Sequence, residues 1–233
     1  MESSPFIKKT AGLVKGPGHG CVVEGPENTL WAFYTCVLCY SYKLERRIGM
    51  DPLGIDEHGN LYVKHVTETP QFAPGTVAHP EEGNDAGLLP LTFHHETEAS
   101  SCLPGRNPLY AVDESMLSWW QPAPGDKNPW IRVKLTETGS DISAVRLIWR
   151  DVGLDIRNGI LPGAFQYTLE ARSLDGEWFP VLDRSDSRED YVIDYQTFET
   201  VTASEIRLRI TGSPAGIEPG LICLTVFGQW HQE

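Results

Sequence analysis

The chain has 233 residues, 40% of them hydrophobic and 22% charged, with a net charge of −13 at pH 7. That composition is ordinary for a globular protein able to bury one large core or two modest ones. The acid excess is shared: 7 Lys/Arg against 11 Asp/Glu in residues 1–90 (−4), and 12 against 21 in residues 91–233 (−9). No basic stripe is left for nucleic acid or an anionic membrane surface, whereas neutral or weakly charged ligands such as sugars remain compatible. No apolar run is long enough to cross a membrane, and Met1–Lys9 lacks the charged-then-apolar order of a secretory signal.

In chain order, residues 1–75 read as short strand-like runs separated by Gly/Pro turns. The first is Gly16-Pro-Gly-His-Gly-Cys-Val-Val-Glu-Gly25, then Leu30-Trp-Ala-Phe-Tyr-Thr-Cys-Val-Leu38, Arg46–Pro52 and Ile55–Tyr62, with Asp56-Glu-His-Gly59 as a hairpin turn. Cys36 and Cys39 form a lone C-x-x-C inside an apolar run. With no second ligand pair at zinc spacing, they read as buried thiols. Residues 76–90 have the polar, Gly/Pro-bearing composition of a linker.

From residue 91 onward the pattern alternates with period 2. Ile131, Val133 and Leu135 share one face opposite Arg132 and Lys134. Phe165, Tyr167, Leu169 and Ala171 share another, and Ile206, Leu208 and Ile210 alternate with Arg207 and Arg209. Ser173-Leu-Asp-Gly176 is a turn between strands. Trp120, Trp130 and Trp178 are expected in the core. No amphipathic helix of three turns is evident. The expected fold class is all-β, an antiparallel sandwich preceded by a smaller strand-rich unit.

The order of the runs from Gly16 to Tyr62 resembles the last blade of the five-bladed β-propeller of family 43 glycoside hydrolases. The resemblance implies that residues 1–75 are about one blade, a partial β-propeller, with His19 near the propeller axis, where the family's His contacts a central metal or water. It also implies that the catalytic carboxylates belong to earlier blades outside this chain. Glu24, Glu45, Asp51, Asp56 and Glu57 read as turn or surface acids, because glycoside hydrolysis by inversion needs two carboxyls held apart across the bond. A lone blade leaves faces uncovered, and Trp31, Phe33 and Tyr34 are expected on them, favouring a homo-oligomer.

Residues 91–233 carry a second resemblance. Ala99-Ser-Ser101, Ala111-Val-Asp-Glu-Ser115 with Ser118 and Trp120, Trp130–Leu135, Tyr167–Trp178, Ile206–Ile210 and Leu224-Thr-Val-Phe-Gly228 follow the order of the discoidin, or factor V/VIII C-type, domain. That group includes family 32 carbohydrate-binding modules and folds as a galactose-binding-like jelly-roll sandwich. The resemblance implies a ligand site on loops at one end, built from an Arg, an Asn and an aromatic platform. Arg150 and Asn158 match the Arg and the Asn, Trp119 and Trp149 are the aromatic candidates, and Asp155 and Arg157 lie in the same stretch. It also implies a structural calcium at Asp113 and Ser118. Here Ser115 replaces the usual second acid, and Cys223 stands where a Glu is common.

The two resemblances together imply the non-catalytic, carbohydrate-binding C-terminal portion of a family 43-like glycosidase acting on an oligo- or polysaccharide, the parent protein being secreted or periplasmic. One alternative is an active glycosidase completed by acids on missing or partner segments. Another is a module for protein or surface adhesion.

Overall fold

In the computed structural model the described residues are 6–7, 14–38, 46–63, 66–75, 88–191 and 193–230. They divide into two units, Met1–Pro90 and Leu91–Glu233. The first unit is one sheet in the order β1-β2-β3-β4: β1 (Val14–Glu24), β2 (Leu30–Leu38), β3 (Arg46–Ile55) and β4 (Leu61–Val63). Its described pairings are all antiparallel. The Asp56 turn forms because its carboxylate accepts the His58 and Asn60 amides at 2.9 and 2.8 Å, and Gly59 supplies the positive φ (79°) that closes the hairpin.

Ala32, Tyr34 and Cys36 of β2 pack with Val14, Leu53 and Val66. Asp51, expected as a turn or surface acid, is instead fully buried beside them. Its carboxylate accepts from the Tyr34 and Thr67 hydroxyls, the Thr67 amide and the Gln71 side chain. Burial raises its pKa, against the pull of those hydrogen bonds.

Trp31 and Tyr34, expected on an uncovered face, are 1% and 3% exposed, and Phe33 is half-buried. The exposed apolar side chains of this unit include Val22, Val23, Ile48, Ile55, Leu61 and Tyr62. Cys36 is buried as expected, while Cys39 lies outside the described residues. So do residues 76–87 of the expected linker. The end of that span, Leu89–Pro90, forms the short strand β5.

From Leu89 onward the strands form a sandwich of two sheets, β10-β9-β12-β7-β6 and β11-β8-β13-β5. The strands are β6 (Thr97–Ala99), β7 (Trp130–Lys134), β8 (Ser140–Val152), β9 (Gln166–Arg172), β10 (Trp178–Arg184), β11 (Asp194–Ala203), β12 (Glu205–Gly212) and β13 (Glu218–Trp230). The alternating runs form strands as their periodicity requires. Ile131, Val133, Tyr167, Leu169, Ala171, Ile206 and Leu208 are fully buried between the sheets. On the outer face of the same sheet Glu170 bridges Arg207 and Arg209. Trp120 is fully buried and donates its indole N–H to the Ser101 carbonyl at 3.0 Å. Trp130 and Trp178 are only half-buried, unlike the expectation. The Arg207 guanidinium lies over Trp178 at 4.1 Å, so that ring is an outer-face element.

Strand β8 sets up the rest. Val145, Leu147 and Trp149 face the interior between the sheets, where Trp149 stacks on Phe165 at 4.5 Å and meets Tyr167 at 5.9 Å. Arg146, Ile148 and Arg150 face the opposite side, which residues 92–121 cover.

Candidate ligand site at the loop end of the sandwich

Two adjacent tryptophans part company at the mouth of this face. Trp120 exchanges both backbone hydrogen bonds with Leu221 of β13, at 2.9 and 2.8 Å, and drops its ring into the core. Trp119 therefore points the other way and lies across Gly220. A methyl group at Gly220 would come within 2.9 Å of Trp119 Cδ1, 3.0 Å of Val152 and 3.2 Å of Arg150 Cβ. Glycine is needed here for close approach of the ring, not for an unusual φ.

Two guanidinium groups lie over the Trp119 ring. Arg106 Cζ is 3.3 Å from its centroid and Arg150 Cζ is 4.2 Å. The indole N–H donates to Gln121 Oε1 at 3.2 Å, and Gln121 Nε2 donates to Glu218 Oε2 at 2.9 Å. Glu218 also lines a groove of about 610 Å³, including space open to solvent, walled by Pro122, Pro124, Lys127, Ile210 and Ser213. Asp126 holds one wall. Its carboxylate accepts the Ser100 and Ser101 hydroxyls, both at 2.6 Å, and the Asn128 amide. Burial pushes its pKa up, but these bonds outweigh it and hold the carboxyl below its usual range.

The turn that follows β8 carries three more of the expected residues. Asp155 accepts Asn158 Nδ2 at 2.6 Å and pairs with Ile160, and Gly159 closes the turn at φ 83°. Arg157 is exposed on the same turn. The structure thus joins Trp119 to Arg150, and Asp155 to Asn158, with no described hydrogen bond or ion pair linking the two pairs. Trp149 belongs to neither. It is half-buried and stacks on Phe165 toward the inter-sheet core, its indole nitrogen buried. Trp119 lies at the site, half-buried, with two guanidiniums over its ring. Sequence reasoning missed Arg106, Gln121 and Glu218. Arg106 and Gln121 meet Trp119 itself, while Glu218 joins through Gln121 across 97 residues of chain, a contact that no local spacing signals.

The expected calcium ligands also meet, but as partners of each other. Asp113 accepts the Ser115 amide at 2.9 Å and the Ser118 hydroxyl at 2.6 Å. Burial lifts its pKa, against those two hydrogen bonds. The neighbouring carboxylate, Glu114, is buried at φ 56° and ion-paired to Arg146, with the Thr225 hydroxyl donating to it. Hard cations take six to eight oxygens, preferably charged ones. The Asp113 carboxylate already accepts two hydrogen bonds and Glu114 already faces a guanidinium, which leaves few charged oxygens for a cation. Among the described residues no group of three or more His, Cys, Asp and Glu is placed to hold a metal. His19 sits exposed in β1 at φ 50°, in a shallow hollow with Cys21, Phe33 and Ile48.

No protein-family model matches the chain, and no curated protein does. Solved structures do match. The CBM32-4 module of CpGH89 from Clostridium perfringens, in complex with GlcNAc-α-1,4-galactose, is 17% identical with a TM-score of 0.50. The match covers 65% of this chain and all of that one. Chitosan-binding module 2 of a chitosanase/glucanase from Paenibacillus sp. IK-5, in complex with chitotriose, is 24% identical over 59% of this chain and 99% of that one, with a TM-score of 0.49. The family 32 module of NanJ from C. perfringens, in complex with galactose, is 17% identical over 60% and 97%, also at 0.49. The likeness is one of fold: the chain is all-β, and its sandwich is of the galactose-binding-like type.

Proposed function

We propose that the sandwich is a non-catalytic carbohydrate-binding module whose ligand meets the loop end at Arg106, Trp119 and Arg150. The observation that carries this reading is the pair of guanidiniums over the Trp119 indole, set beside a groove at one end of a sandwich of this fold. The CpGH89 module with the same fold was solved holding a disaccharide. Sugar hydroxyls call for planar, multi-donor partners, and a guanidinium supplies five N–H donors in one plane.

The reading extends to a parent protein: a family 43-like glycosidase acting on polysaccharide outside the cytoplasm, of which residues 1–75 contribute the last propeller blade. The motif order from Gly16 to Tyr62 and the four-stranded antiparallel sheet support it. The acids described in that unit agree with a non-catalytic role. Asp51 is buried under Tyr34, Thr67 and Gln71, and Asp56 caps its own turn. The exposed Val22, Val23, Ile48 and Ile55 support self-association through this unit.

The test is a glycan-array screen followed by calorimetry on wild type and Arg150→Ala. Saturable sugar binding that the variant loses, with its melt unchanged, supports the module and its site. A folded protein that binds no glycan sinks the reading.

A further inference from the structure

We infer that this site selects glycans carrying an oxyanion, a uronate carboxylate or a sulfate, which Arg106 and Arg150 grip together. The inference rests on the carbohydrate-binding reading and narrows it.

Three observations lead there. First, two guanidiniums lie over the one Trp119 ring, their carbons 3.3 and 4.2 Å from its centroid. The ring gathers both cations at one place. A guanidinium stacked by its plane keeps its N–H edge outward, and that edge matches a carboxylate or sulfate bidentately.

Second, the two arginines lack the partners that their neighbours have. Arg132, Arg146, Arg172, Arg184, Arg207 and Arg209 each pair with a carboxylate. Among the described residues Arg106 and Arg150 pair with none, in a chain holding 32 acids against 19 Lys and Arg.

Third, the acids closest in the fold are otherwise engaged. Glu218 accepts Gln121, and Gln121 in turn holds the Trp119 indole. Asp155 accepts Asn158. Asp151 alternates to the far side of β8 from Arg150, and its carboxyl is raised by burial and by Asp190. The positive pair is therefore not neutralised from within. Because Gly220 fixes Trp119 against β13, the spacing of the two guanidiniums is set before any ligand arrives.

The experiment is calorimetric titration of the whole chain with an oligogalacturonate, a sulfated galactan oligosaccharide and a neutral galacto-oligosaccharide, at 50 and 300 mM NaCl. Wild type, Arg106→Ala, Arg150→Ala and Arg150→Lys are compared, with thermal melts to confirm folding. We expect one or both anionic ligands to bind at least tenfold more tightly than the neutral one, with affinity falling as salt rises. The two anionic arms separate carboxylate from sulfate. Each alanine variant is expected to weaken anionic binding about 10- to 100-fold, the range for a hydrogen bond to a charged group. Arg150→Lys should fall between, because it keeps the charge and loses the fork. Equal or tighter binding of the neutral ligand, indifferent to salt, overturns the inference and leaves the carbohydrate reading standing. Binding of none of the three by folded protein overturns both.

Discussion

Replacing Glu114 with glutamine tests whether the 113–118 loop is fastened by an ion pair where related sandwiches are expected to use a cation. The Glu114 and Arg146 side chains are only 5% and 9% exposed. Thr225 completes the set, its hydroxyl donating to Glu114 and accepting from Arg146 at 2.9 Å. The three residues tie the loop to β8 and to β13. Glutamine keeps the size and one acceptor but leaves the Arg146 charge buried without a counter-charge. Breaking a buried pair from one side costs about 3–5 kcal/mol. In a protein of this size each kcal/mol moves the melting temperature by about 2–4 °C, so a loss of about 10 °C is expected for the sandwich transition. Arg146→Met should cost a similar amount, and the double variant clearly less than the sum, because removing both charges leaves neither stranded. Urea melts followed by tryptophan fluorescence read all four proteins. In the same assay, calcium and EDTA should leave the wild-type midpoint in place. A Glu114→Gln cost below about 1 kcal/mol, or a calcium-dependent rise in the wild-type midpoint, would refute the reasoning.

Other outcomes follow from single contacts. Gly220→Ala drives a methyl group into Trp119 and the base of Arg150; overpacking of this kind costs about 1–3 kcal/mol, and glycan affinity should fall with the displaced ring, as calorimetry would show. Asp51→Asn addresses the smaller unit. Burial raises the Asp51 pKa in the folded state, so ionisation costs stability, and that unit should lose stability as pH rises from the ordinary carboxylate value of about 4 through the raised one. The variant should flatten that slope in pH-dependent melts; an unchanged slope would locate its cause elsewhere. Glu170 works in the opposite sense. Burial raises its pKa, but Arg207 and Arg209 outweigh this and hold it low. Its contribution to the sandwich is present above the ordinary glutamate pKa and lost as pH falls through the depressed value. Glu170→Gln should therefore weaken the acid-side fall in sandwich stability.

The elements that were legible in the sequence are those whose cause is local. Ile131, Val133, Tyr167, Leu169, Ile206 and Leu208 announce half-buried strands by alternation alone, and Asp56 and Ser173 announce their turns by side-chain chemistry. Trp149 shows a signal that was present but read too loosely. On a strand, 149 must share the face of Val145 and Leu147, so it belongs to the core, while Arg150 shares the face of Arg146 and Ile148. Glu114 gave no such warning. Its positive φ and its partnership with Arg146, 32 residues away, arise from the packing of residues 92–121 onto β8. Arg106 was equally silent, because a stacked guanidinium leaves no periodic mark in the sequence.

The most direct test of the account is a glycan titration followed through the seven tryptophan indole N–H resonances of a ¹⁵N-labelled chain. The account predicts that the resonance of Trp119, hydrogen-bonded to Gln121 and lying against two arginines, shifts in a saturable way while those of the buried Trp31 and Trp120 stay in place. Saturable binding that leaves Trp119 unmoved and shifts a tryptophan elsewhere would contradict it.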